Sequence, residues 1–129
     1  MILLDTHAVL WLAAFAEKLS PAATNAIREA RSMGEPIALS GQSLYELAWG
    51  ISRGRIKIDG SVESFFGQIE ARFTVLPLTS QVARAAAGIT GLSGDPFDRI
   101  IAATALTEGI PLITANENIR RAGAVKTIW

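Results

Sequence analysis

Carboxylates carry the chemical potential of this sequence. Asp5 follows Ile2-Leu3-Leu4 directly, Glu46 lies just beyond Ser43, and Asp95 and Asp98 flank Pro96 and Phe97. Acids gathered in one pocket repel one another, and a divalent cation is the least costly way to keep them ionised together. Such an ion lowers the pKa of a bound water and clamps a phosphodiester oxygen, and a second ion about 3.5–4 Å away would stabilise the leaving oxygen. Asp5 gives the strongest signal, because a charge between an apolar run and an apolar helical stretch is costly to bury unpartnered. The other acids have simpler readings beside the functional one. Asp95 before Pro96 reads as an N-cap. Glu46 completes a capping box with Ser43. Asp98, at the third position of its helix, suits the helix dipole. His7 reads as a helix-start histidine or as a base.

The order of elements must bring these acids together. Ile2–Leu4, Ile37–Leu39, Thr74–Leu78, Pro111–Thr114 and Val125–Trp129 read as short strands. Helices are predicted over Thr6–Phe15, Pro21–Met33, Ser43–Arg53, Ser61–Arg72, Thr79–Ile89, Asp95–Glu108 and Asn116–Arg121. Ser20-Pro21 opens the second of these, and Gly34 and Gly109 stop the second and sixth. Gly54–Gly60 is a predicted loop, and Gly91–Gly94 a glycine-rich break. Ile100–Leu106 is apolar on almost every face, which predicts burial. Alternating strand and helix implies an α/β fold with a parallel sheet covered by helices on both faces. Right-handed crossovers then send every strand C-terminus to one edge, where ligands of such folds bind. Thr6 follows Asp5 at that edge, and Thr114, Asn116 and Glu117 follow the fourth strand. No repeat or linker divides the chain, so a single domain over residues 1–129 is expected.

Composition narrows the chemistry. The chain has no cysteine and a single histidine, His7, so thiolate sites and multi-histidine zinc sites are excluded. Oxygen ligands remain, which points to Mg²⁺ or Mn²⁺. Lys plus Arg equals Asp plus Glu at twelve each, so net charge lends no support to nucleic-acid binding, and a local basic patch would have to supply it. Asp5-Thr6-His7-Ala8 holds no glycine, which argues against a dinucleotide or phosphate loop after the first strand. No Ser or Cys sits in a nucleophile elbow. No apolar run approaches the roughly 18 residues of a membrane span, and Met1–Asp5 does not open like a secretory leader, so a cytoplasmic location is expected. A positive mean hydropathy suggests a partner or a homodimer.

Several segments resemble one family. Leu3-Leu4-Asp5-Thr6-His7-Ala8-Val9-Leu10-Trp11-Leu12 resembles the start of a PIN domain of the VapC toxin type. So do Ser43-Leu44-Tyr45-Glu46-Leu47-Ala48, followed by Gly54-Arg55-Ile56, and Gly94-Asp95-Pro96-Phe97-Asp98-Arg99-Ile100-Ile101-Ala102-Ala103. Leu112-Ile113-Thr114-Ala115-Asn116-Glu117 and the final Ile128-Trp129 fit as well, so the likeness spans the chain in order.

The resemblance implies a PIN-like three-layer α/β/α fold. It also implies a Mg²⁺- or Mn²⁺-dependent endoribonuclease, the toxin half of a toxin–antitoxin pair. By position, Asp5, Glu46 and Asp98 match the metal-binding acids, and Asp95 the further Asp of its motif. Asn116 stands where many members carry a fourth Asp, so it brings an amide in place of a charge, and Glu117 is a possible substitute. On this reading Asp5 and Asp98 hold the principal metal, with Glu46 binding it or orienting water, and Thr6, Thr114, Asp95 and Asn116 are accessory. Arg53, Arg55, Lys57, Arg99, Arg120 and Arg121 are candidates to steer a single-stranded or looped RNA. Trp11 and Trp49 are candidate anchors for an antitoxin. The alternative is a PIN-like module that binds RNA or a regulator and cleaves weakly or not at all.

Overall fold

The computed structural model describes all 129 residues. The elements run β1 (Ile2–Leu4), α1 (Thr6–Ala14), a 3₁₀ turn (Ala16–Lys18), α2 (Pro21–Ser32), β2 (Ile37–Ser40), α3 (Gly41–Ser52), α4 (Val62–Arg72) and β3 (Thr74–Leu76). They continue with α5 (Ser80–Gly88), α6 (Pro96–Glu108), β4 (Leu112–Ile113), α7 (Glu117–Ala122) and β5 (Thr127–Ile128).

The five strands form one sheet in the order β3-β2-β1-β4-β5, with every pair parallel. Strand side chains alternate between faces. Ile2, Leu4, Ile37, Leu39 and Ile113 accordingly join a core with Val9, Ile27, Leu47 and Ile69 from the first four helices. Leu3, Ala38 and Leu112 join a second core with Val82, Ile101 and Ile119 from α5, α6 and α7. The result is three layers, with helices on both faces of the sheet. The chain winds from β1 outward to β3, then returns to place β4 on the other side of β1. The winding direction therefore reverses between β1 and β4, and a crevice opens there beyond the strand C-termini.

Several boundaries differ from expectation. The helix after β2 begins at Gly41, capped by Ser40, whose hydroxyl accepts from Gln42 N at 3.1 Å. Ser43 is therefore no cap, and the Ser43–Glu46 capping box is absent. Ser40 also pairs with Leu76 in the ladder, so the last residue of β2 ends the strand and starts the helix. β3 stops at Leu76 because Pro77 has no N–H to donate. The 3₁₀ turn after α1 was unforeseen, and β5 is shorter than expected. In α6, Ile101–Ala105 are buried as expected, but Leu106 is exposed. No helix is long and apolar enough to cross a membrane.

Candidate active site

At the β1–β4 crevice lies a cavity of about 380 Å³ whose wall includes Asp5, Glu46, Asp95 and Asp98, with Thr6, His7, Trp11 and Asn116. The topology thus brings together acids from three segments of the chain. Asp5 is the N-cap of α1 and is buried. Its Oδ1 accepts from Ala8 N at 2.8 Å, and its Oδ2 accepts from the Thr114 hydroxyl at the end of β4. Thr114 Oγ1 in turn accepts from Asn116 N at 3.0 Å.

Glu46 projects from the second turn of α3 towards Thr6. The Thr6 hydroxyl lies 3.1 Å from Glu46 Oε1 and 2.9 Å from Ser43 Oγ. Its one proton serves the carboxylate, which leaves its lone pairs to accept from Ser43. Asp98 Oδ2 accepts from Asn116 Nδ2 at 3.0 Å. Asn116 Oδ1 accepts from Asn118 N at 2.9 Å and Ile119 N at 3.2 Å, which caps α7. Exposed Asp95 caps α6 through Phe97 N at 2.9 Å, as its sequence context predicted.

The electrostatics follow from burial and from crowding of like charge. Glu46 is pushed up to about 7, first by burial, against the Thr6 hydrogen bond, and further by Asp98, Asp95 and Asp5. Asp98 is raised by burial and then by Asp95. Burial also raises Asp5, against the lowering effect of Thr114 and Ala8 N–H. The two ion pairs of the chain, Met1–Glu35 and Glu117–Arg121, involve none of the four cavity acids, and His7 is the one basic side chain in the cavity wall. As the side chains stand, no three His, Asp or Glu residues close on one point. Their oxygens are instead turned to hydroxyl, amide and backbone N–H donors. A donor set of carboxylate oxygens, without sulfur and with a single imidazole nearby, fits a hard divalent cation.

Other expected residues fall elsewhere. Arg99, expected as a candidate to steer RNA, is engaged within the fold. Its guanidinium turns inward and donates to the carbonyls of Ala86 (3.1 Å), Ala87 (3.3 Å), Ile89 (2.7 Å) and Leu92. Glu117 is exposed and pairs with Arg121 at 2.9 Å, so it does not replace the charge that Asn116 lacks. Arg53 lies over the Trp49 ring at 4.2 Å, and Arg55, Lys57 and Arg120 are exposed. Trp11 is half-buried between His7 and Trp129, with ring centroids at 5.8 and 5.6 Å. The role of Ser43 as support for Thr6 was missed. Its three-residue offset from Glu46 placed both on one helix face, but that offset also spells a capping box.

The family model of the PIN domain matches residues 2–125. This chain belongs to the PIN-domain family. It is 34% identical over 131 residues to Ribonuclease VapC22 of Mycobacterium tuberculosis, covering 99% of this chain and 98% of that protein. Among solved structures, a chain of VapBC2 from Rickettsia felis, bound to a promoter DNA fragment, shares the fold with a TM-score of 0.75 at 19% identity, over 98% of this chain and 97% of that one. A chain of DNA-bound VapBC from Salmonella typhimurium gives a TM-score of 0.68 at 21% identity, over 98% and 95% of the two chains. FitAcB from Neisseria gonorrhoeae gives 0.67 at 22% identity, over 98% and 96%.

Proposed function

We propose that this PIN domain is a metal-dependent endoribonuclease and the toxin of a toxin–antitoxin pair. The observation that carries this reading is the acid cavity at the reversal point of the sheet, where four carboxylates face one space and none is in an ion pair. The relative called a ribonuclease spans nearly the whole chain, and the VapBC complexes share its fold.

Asp5 and Asp98 would hold Mg²⁺ or Mn²⁺, with Glu46 as a further ligand or as the group that orients water. When bound, such an ion would supply Lewis acidity and would lower the pKa of a water that it holds. The protein's own part is positioning. Thr114 and Ala8 N–H fix the Asp5 carboxylate, Thr6 backed by Ser43 fixes Glu46, and Asn116 fixes Asp98. Burial and the neighbouring acids push Glu46 up to about 7 in the metal-free chain, and with a metal bound its carboxylate would be free to orient an attacking water or take its proton.

An antitoxin segment fits a second place. A groove of about 300 Å³ lies beside the end of α1 and α4, floored by Leu10, Leu12, Phe65 and Phe73 and rimmed by Arg31, Lys57 and Arg72. An amphipathic segment with acidic residues would complement it. Trp11 and Trp49 do not line this groove, so neither anchors a partner there. A homodimer and a cytoplasmic location complete the reading.

The test is to incubate purified, antitoxin-free protein with a mixed RNA pool. Cleavage should need Mn²⁺ or Mg²⁺, stop with chelator and resume on adding metal. Intact RNA at every metal concentration would instead favour a binding module.

A further inference from the structure

Beside the acid cavity stands a row of rings, two of them exposed and the third half-buried. Tyr45 is 51% exposed and Trp49 is 44% exposed. Tyr45 meets Phe97 edge-on at 5.7 Å between ring centroids, and Trp49 lies 6.2 Å from Tyr45. Tyr45 and Trp49 lie four residues apart on α3, and Arg53, its C-cap, continues the stripe with its guanidinium over one face of the Trp49 ring at 4.2 Å, which leaves the other face for a base. The stripe adjoins the cavity, since Tyr45 precedes Glu46 and Phe97 precedes Asp98.

The electrostatics of the site explain why such a row is useful. A cavity lined by four acids repels a polyanion, and the chain carries no net charge to offset this. Arg99, a nearby cation, is turned inward onto backbone carbonyls. Exposed Arg53, Arg55, Lys57 and Arg120 can supply contacts to phosphates, and unpaired bases offer a grip that the acids do not oppose. Stacking of a base on an aromatic ring contributes about 1–3 kcal/mol and requires unpaired bases.

We propose that Tyr45, Trp49 and Phe97 form a stacking shelf that seats unpaired nucleotides of single-stranded RNA beside the acid cavity, with Arg53 on the flanking phosphate. The choice of RNA rests on the nuclease reading. The shelf makes Trp49 and Tyr45 positioning residues, which act on substrate binding and not on the chemical step.

The experiment uses the full chain in chelator, so that nothing is cleaved. The anisotropy of a dye-labelled, unstructured RNA oligonucleotide is followed as protein is added, and separately that of a labelled blunt RNA duplex of the same length. The single strand should bind more tightly than the duplex. Trp49→Leu should weaken single-strand binding roughly tenfold, the equivalent of about 1.4 kcal/mol. Trp49→Phe should keep most of the affinity, and serves as the test if the leucine variant does not fold. With Mn²⁺ present, the same loss should fall on KM, with kcat little changed.

Equal binding of single strand and duplex would overturn the shelf. So would unchanged affinity in folded Trp49→Leu, above all if sedimentation shows a dimer becoming a monomer, since the face would then join two copies of the chain. Wild-type protein that binds single strands through Trp49 but cleaves none would refute the nuclease reading and leave the shelf standing. Wild-type protein that cleaves, with KM unchanged by Trp49→Leu, would do the reverse.

Discussion

Asp5 combines two duties in one carboxylate, capping α1 and facing the cavity. Asparagine can accept the same bond from Ala8 N but carries no charge. Asp5→Asn should therefore abolish RNA cleavage while the metal-free protein melts at the same temperature or higher, because a buried charge has been removed. Asp5→Ala also loses the cap and should cost about 1 kcal/mol of stability on urea unfolding. The raised carboxyl groups imply a pH dependence. Glu46 moves from its ordinary value of 4.5 to about 7 on folding, so between those values the folded chain binds more protons than the unfolded chain. Stability in chelator is then greatest below pH 4.5 as far as this group is concerned, and is lost as pH rises through 7. The melting temperature in chelator should be higher at pH 5 than at pH 8, and saturating Mn²⁺ should remove most of that difference. Asn116 donates to Asp98, so Asn116→Asp replaces that donor with a further charge. Calorimetry should show tighter Mn²⁺ binding by the variant, and a lower melting point for it in chelator near neutral pH.

At the level of elements, Arg99 ties α6 to the end of α5 through carbonyls of Ala86, Ala87, Ile89 and Leu92. The end of α5 has no capping bond of its own, and a cation there also suits the helix dipole. Arg99→Ala should cost about 2–4 kcal/mol of stability, since bonds to a charged donor contribute about 1.5–3 kcal/mol each and these are partly exposed. Urea unfolding measures this, and an unchanged midpoint would place Arg99 on the surface after all. The same residue shows where sequence reading stops. Beside Asp98, Arg99 looks like a surface cation, and its partners lie on and just after a different helix, which no periodicity reveals. Ser43 shows the same limit. Both Ser40 and Ser43 can cap a helix, and the choice of Ser40 is made by the β2–β3 ladder. The strands, by contrast, were legible as short apolar runs, because a parallel sheet buries both faces. The convergence of Asp5, Glu46, Asp95 and Asp98 on one edge was legible too. It follows from strand–helix alternation and handedness alone.

For the whole molecule, the account rests on one electrostatic arrangement. A chain of no net charge gathers four acids at the reversal point of its sheet and gives none of them an ion-pair partner. If a divalent ion completes the site, its binding must displace protons that the crowded carboxyl groups hold in its absence. The most direct measurement is a calorimetric titration of Mn²⁺ into the wild-type chain at pH 7, repeated in buffers of different ionisation enthalpy. The account predicts saturable binding, a heat that varies with buffer because protons are released, and loss of both in Asp5→Asn. Absence of binding, or binding that releases no protons and is unaltered by Asp5→Asn, would contradict it.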